Sequence, residues 1–252
     1  MKILVTNDDG IDSPGLHSLA KALKKLGEVY VVAPASPQSA VGHALTIEHP
    51  LRAHSYHLNG QKLGIAVNGT PSDCVKLAIS NLLREKPDLV VSGVNFGKNT
   101  SINIIYSGTV AAATEGMLLG IPAIAVSLDS YSFKTDTKIA AEQSVEIIKK
   151  FIENGFPPKT LININVPNTD NPKGVRMTRL SNSVWRDKYE RRQDPFGREY
   201  FWFSGEYIIK DKDLDSDDFA LENNYISVTP VHFHFTNTRL INIFKEKINC
   251  NF

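Results

Sequence analysis

Asp8 and Asp9 stand side by side immediately after a short apolar run at residues 3–6, and Gly10 follows them. Adjacent carboxylates at the end of a strand repel one another unless a cation or a proton compensates. The pair has two readings: a capped turn closed by Asp9-Gly10, or a cation site. Ser39 and Asn95 follow later apolar runs and would add neutral oxygens. Such an all-oxygen set suits Mg²⁺, Mn²⁺ or Ca²⁺ and not Zn²⁺. Its incomplete shell leaves positions for water and substrate, as hydrolysis requires. A second ingredient is the glycine-containing segment 93–99, which runs on to Tyr106-Ser107-Gly108-Thr109 ahead of a helical pattern. Small residues let backbone N–H groups approach an anion, and a helix N-terminus adds partial positive charge. Ser107 or Thr109 as N-cap is compatible with that role. An oxygen-rich cation site facing an anion-binding helix end points to phosphoester chemistry.

Other candidates carry two readings each. His43, four residues beyond Ser39, is placed to move a proton or touch a phosphate, or else to make a structural hydrogen bond. His232 and His234 alternate as on one face of a strand. With no third ligand evident, a solvated or interface strand is the better reading. Lys98 reads as a solvated loop charge and Asp73 as a helix-start cap.

The elements that must position these residues follow a regular order. Residues 3–6, 29–33, 88–92, 121–128 and 161–166 are short, nearly continuous apolar runs. Helical spacing links Leu16, Leu19, Leu23 and Leu26 behind Ser13-Pro14, with Gly27 as the stop. It also links Val75, Ala78, Ile79 and Leu82 behind Thr70-Pro71, up to Lys86-Pro87. Further helices span 109–119, 136–153 and 237–248. Residues 45–51 read as β-structure, and Asn59-Gly60 marks a hairpin. Apolar strands alternating with helices predict an α/β protein with a Rossmann-like, doubly wound and mostly parallel sheet. In such a sheet ligands bind beyond the carboxyl ends of the strands, where Asp8, Asp9, Ser39 and Asn95 fall. The alternation fades after residue 167, which divides a catalytic core at 1–167 from a C-terminal extension at 168–252 within one compact domain.

Composition narrows the class. The 252 residues, 42% hydrophobic and 22% charged, have globular proportions. At about 150 residues per domain they make one large domain or one with an appendage. A net charge of +1 offers little attraction to nucleic-acid phosphates. Aromatic residues between Trp185 and Tyr207 sit among both arginines and acids, so a partner subunit fits them better than a nucleic-acid polymer. No apolar run nears the ~20 residues of a membrane span. The N-terminus turns acidic too early for a signal peptide. Cys74 and Cys250 make neither a disulfide framework nor a zinc-cysteine site. A cytoplasmic location is expected. GxGxxG, Walker A and GxSxG patterns are absent, which disfavours a dinucleotide-binding oxidoreductase, a P-loop enzyme and a serine hydrolase on this sheet.

Several segments together resemble the SurE family of survival-protein nucleotidases: Val5-Thr-Asn-Asp-Asp-Gly10, Ser39-Ala-Val-Gly-His43, Asn68-Gly-Thr-Pro-Ser-Asp-Cys74, Ser92-Gly-Val-Asn95 with Gly97 and Asn99, and Tyr106-Ser-Gly-Thr-Val110. Asn163-Ile-Asn-Val-Pro167, Asp194-Pro-Phe-Gly197 and Tyr225-Ile-Ser-Val-Thr-Pro230 extend the likeness over nearly the whole chain. The resemblance implies a metal-dependent phosphatase of nucleoside monophosphates with a Rossmann-like core and a C-terminal extension exchanged between subunits. It makes Asp8, Asp9, Ser39 and Asn95 the ligands of one divalent cation per subunit, Mg²⁺ or Mn²⁺, with Asp8, Asp9 and Asn95 catalytic. Ser39, Gly42, His43, Ser107, Gly108 and Thr109 are the candidate phosphate and substrate contacts. A 5′-nucleotidase is expected, with 3′-nucleotidase and exopolyphosphatase activity as possible extensions, in a homodimer or homotetramer. Two alternatives stand beside it: a nucleotide-binding module without turnover, and an aspartyl-phosphate route at Asp8 like that of haloacid-dehalogenase phosphatases. The latter use Asp-x-Asp, whereas this chain has Asp8-Asp9. Ser101 and Asn103 depart from the family's usual Gly and Asp.

Overall fold

The computed structural model describes residues 1–248, apart from the side chain of Glu246. Strand β1 (Lys2–Thr6) leads through the Asp8-Asp9 turn into helix α1 (Pro14–Leu23). Pro14 occupies the first helical turn, and Leu16, Leu19 and Leu23 are fully buried, each contributing about 1.5–3 kcal/mol. Helix α1 caps at Lys24, ahead of Gly27. Strand β2 (Glu28–Pro34) follows.

Residues 45–51, expected as β-structure, form no strand. Pro50 lacks a ladder donor, and the Thr46 N–H is taken by the Asp73 carboxylate at 3.1 and 3.2 Å. Strands β3 (Ala53–Leu58) and β4 (Gln61–Val67) make the expected hairpin. Asn59 and Gly60 both take positive φ, +52° and +79°, as a type I′ turn demands.

Helix α2 (Pro71–Leu77) starts with a capping box between Thr70 and Asp73 and runs on into a π-helical turn at Ala78–Leu82. The core continues with β5 (Leu89–Phe96), α3 (Gly108–Leu118), β6 (Ala123–Leu128), α4 (Lys138–Asn154) and β7 (Leu161–Val166). Five core strands pair in parallel, each with its neighbour, in the order β2-β1-β5-β6-β7. Helices α1 and α4 cover one face, and α2 and α3 the other. The direction of winding reverses between β1 and β5, so their carboxyl ends flank the crevice where such sheets bind ligands.

The C-terminal third adds β8 (Val175–Met177), the antiparallel pair β9 (Val184–Gln193) and β10 (Glu199–Ile208), α5 (Asp217–Glu222), β11 (Ile226–Val231) and α6 (Thr238–Ile248). Strand β11 joins the main sheet antiparallel to β7, and β8 extends it beyond β11. The sheet therefore continues past the point where the alternation fades in the sequence. These strands evade an apolar pattern because β8 is three exposed residues and β11 carries Ser227, Thr229 and Pro230. The β9–β10 ribbon stands away from the core with nearly every residue exposed. Its arginines pair with its own acids, Arg186 with Glu206 at 3.2 Å and Arg192 with Glu190 at 2.6 Å. Strand β11 ends at Val231, so His232 and His234 lie beyond it and not on a strand face. Cys250 lies outside the described residues. Among the described residues, no helix is long and apolar enough to cross a membrane.

Candidate active site

The crevice between the ends of β1 and β5 opens into a cleft of about 270 Å³. Asp8, Asp9, Ser39, Asn95 and Ser107 line it together. Two loops, the end of β5 and one helix start thus bring the candidates from residues 8–107 onto one spot. The loop after β2 is pinned to the loop after β1 by the Gln38 N–H, which donates to the Asp8 carbonyl at 2.7 Å. That bond sets Ser39 opposite the carboxylate pair.

Asp8 is buried at 6% exposure, and the Thr109 hydroxyl donates to its Oδ1. Gly108 packs against it so closely that a Cβ there would lie 2.8 Å from the Asp8 Cβ and 3.0 Å from Oδ2. Asp9 Oδ2 accepts the Phe96 N–H at 3.1 Å. Burial pushes the Asp8 carboxyl up, against the pull of the Thr109 hydroxyl and neighbouring backbone N–H groups. Burial first, then the charge of Asp8, pushes Asp9 up to about 7. Two desolvated carboxylates side by side are what a bound cation compensates. Asn95 spends its Nδ2 on the Gly97 carbonyl at 2.7 Å, which leaves Oδ1 for the cleft. Two carboxylates with the neutral oxygens of Asn95 and Ser39 form a hard donor set, and it fits Mg²⁺ or Mn²⁺.

At the head of α3, Ser107 is the N-cap and its Oγ accepts the Val110 N–H at 3.1 Å. Thr109 is fully buried and turns its hydroxyl to Asp8, so that side chain orients the carboxylate. Gly42 and His43 lie outside the cleft lining. The Gly42 N–H donates to the Tyr106 carbonyl at 3.0 Å. His43 Nε2 meets Glu115 Oε2 at 2.8 Å, and Glu115 also accepts from Lys76. Glu115 sits eight residues along α3 from Ser107, a rise of about 12 Å. The His43 Nε2 is thus engaged by Glu115, and the residue is not part of the cleft lining.

Lys98, which reads in the sequence as a solvated loop charge, has a side chain only 12% exposed with its Nζ 3.0 Å from Asp218. The partner stands 120 residues away, beyond the reach of any local pattern. Tyr131 also lines the cleft. It follows β6, and its place beyond the carboxyl end of a core strand is the signal that the sequence carries. A larger hollow of about 1000 Å³ adjoins the cleft and shares Ala40, Asn103 and Tyr106 with it. Its walls are mostly apolar and include Ile104, Trp185, Tyr189 and Phe203; the carboxylate pair stands in the smaller space.

The two departures from the family pattern have structural partners. Ser101 takes φ +51°, a conformation that glycine adopts freely. Its Oγ reaches the Ser181 carbonyl at 2.7 Å. Asn103 Oδ1 accepts the Trp185 indole N–H at 2.7 Å. Ser101→Ala keeps the strained backbone and loses the buried hydrogen bond, whereas Ser101→Gly relieves the strain. Urea unfolding is expected to show the glycine variant more stable than the alanine variant by about 1 kcal/mol, and both below the parent.

Comparison with known proteins agrees with this geometry. Residues 3–187 match the family model described as Survival protein SurE. The chain belongs to the SurE family. The 5′-nucleotidase SurE of Syntrophobacter fumaroxidans is 45% identical over 96% of this chain and 97% of its own. That of Chlorobium chlorochromatii is 44% identical over 93% of this chain and 87% of its own. The crystal structure of the SurE protein from Aquifex aeolicus superposes with a TM-score of 0.85 at 38% identity, covering 98% of this chain and all of that one.

Proposed function

We propose that this SurE-family chain is a divalent-metal-dependent 5′-nucleotidase, hydrolysing nucleoside monophosphates to nucleoside and phosphate. The observation that carries the reading is the meeting of Asp8, Asp9, Ser39 and Asn95 with Ser107 at the head of α3 in one cleft. The relatives named 5′-nucleotidase SurE support it over nearly the full length of the chain. They favour turnover over a binding module, and the adjacent Asp8-Asp9 pair fits cation binding better than an aspartyl-phosphate route.

Asp8, Asp9, Ser39 and Asn95 would hold one Mg²⁺ or Mn²⁺ per subunit. Such a cation supplies positive charge at the phosphoryl oxygens and lowers the pKa of water. The chain's own residues do the rest. Thr109 and the snug Gly108 fix the orientation of Asp8. Ser107 and the first turn of α3 receive phosphoryl oxygens at the positive end of the helix. Phe96 and Tyr131 wall the cleft. The adjoining hollow offers apolar walls for the nucleoside.

The exposed aromatics of the β9–β10 ribbon, among them Trp202 at 60% and Phe203 at 58%, exceed what a monomer ordinarily shows to water. They support a homodimer or homotetramer; a cytoplasmic location belongs to the same proposal.

The test is phosphate release from nucleoside 5′- and 3′-monophosphates and polyphosphate after chelator stripping. Activity is expected to vanish on stripping and to return with Mg²⁺ or Mn²⁺. Release that is indifferent to chelator removes the metal from the reading, and no release from any nucleotide removes the hydrolase.

A further inference from the structure

The loop that leaves β5 is clamped from the C-terminal third of the chain. Asp218 of α5 is fully buried and accepts hydrogen bonds from Thr100 Oγ1 at 2.6 Å, Tyr207 Oη at 2.7 Å and the Ser181 hydroxyl. Lys98 Nζ approaches the same carboxylate at 3.0 Å. The neighbouring Asp217 takes the backbone N–H groups of Ser101 and Ser181, each at 2.9 Å. Three of four consecutive loop residues are therefore tied to one short helix.

Lys98 is also the one lysine or arginine among the described residues that line the cleft. An ammonium carries three protons, and Asp218 engages one of them. The Lys98 ammonium is steadied over the Tyr207 ring, 5.3 Å from its centroid. Three hydroxyl-bearing side chains already share the negative charge of Asp218. Asp129 also acts on the Lys98 charge, and a phosphate in the cleft would compete with it for the ammonium.

We propose that Lys98 is a phosphate-binding cation of this cleft and that Asp218 is the positioning residue that holds it there. The proposal rests on the cleft being the phosphate site of the function proposed above, and it adds a charged substrate contact supplied by the loop after β5. Tyr207, at the root of the β9–β10 ribbon, belongs to the same clamp, so the ribbon and the cleft share one buried anchor.

The test is calorimetric binding of inorganic phosphate to the full chain in Mg²⁺, with KM for a nucleoside 5′-monophosphate measured alongside. Parent, Lys98→Gln, Asp218→Asn and the double variant are compared. A charge-assisted hydrogen bond to phosphate is worth about tenfold or more in affinity. Lys98→Gln is therefore expected to raise the phosphate Kd and KM by about that factor. Asp218→Asn should weaken both in the same direction, and the double variant should be no worse than Lys98→Gln alone.

A phosphate Kd within about twofold of the parent for a folded Lys98→Gln protein overturns the proposal, and so does a parent that binds no phosphate. Fully multiplicative losses in the double variant overturn the role of Asp218. If Lys98→Gln loses its cooperative unfolding transition, the double variant, with both charges gone, carries the comparison. A parent that binds phosphate through Lys98 but releases none from nucleotides defeats the hydrolase reading and leaves this one standing.

Discussion

Asp8→Asn is expected to lower kcat/KM for nucleoside monophosphates by at least about a thousandfold while leaving the fold intact. The carboxylate sits where β1 meets the crevice, and it is the more deeply buried of the pair. Asparagine keeps its size and can still accept from Thr109, but it removes the charge that would hold a divalent cation. Thr109→Val, which removes only the group that orients Asp8, should cost about 10–100-fold. Ordering the two losses in this way tests the assignment more sharply than either loss alone. A second readout runs in the opposite direction. Two buried, adjacent carboxylates weaken the cation-free fold, so in chelator near neutral pH Asp8→Asn should melt above the parent. An Asp8→Asn protein with parental activity would remove Asp8 from the cation site.

Gly108→Ala should be the next most damaging change, although it adds a single methyl group outside the reacting atoms. A Cβ there would come within 3.0 Å of both the Asp8 Cβ and its carboxylate. Asp8 follows β1 directly, between β2 and β5 in the middle of the sheet, so it has little room to retreat. A displacement of about 1 Å at such a group can cost about a hundredfold in rate, and that is the loss expected in kcat/KM. Overpacking should also lower stability by about 1–3 kcal/mol, read from denaturant unfolding. Because alanine favours a helix more than glycine does, an unchanged activity together with raised stability would show that the close approach is not what keeps the glycine.

Much of this site is legible in the sequence for a definite reason. Strands buried on both faces read as apolar runs without a period, and the residues directly after them must lie at one edge of a parallel sheet. Asp8, Asp9, Ser39 and Asn95 need only that rule to meet. Pro14 and the Thr70–Asp73 box announce their helices because capping is local chemistry. What stays hidden depends on distant partners. Nothing near Lys98 reveals Asp218, and nothing near His43 reveals Glu115. Residues 45–51 have β-prone composition but lose their donors to Pro50 and Asp73. Strand β11 is hidden by its own Ser227, Thr229 and Pro230, which are tolerated because it lies toward the border of the sheet and pairs with β7 through its backbone.

The late return of β11 to the edge of β7 also bears on how the chain is made. When Val166 leaves the ribosome, every strand from β1 to β7 has been synthesised, yet β7 still presents an open row of backbone donors and acceptors on its far side. The strand that closes it ends at Val231, and at about 5–20 residues per second its synthesis comes roughly 3–13 s later. Throughout that interval the nascent sheet carries an apolar edge of the kind that pairs with other chains. Asp217 and Asp218, which anchor the loop beside the cleft, arrive in the same late portion. The proposed phosphate site, although built mainly from residues 8–107, gains its anchor only once α5 has been made.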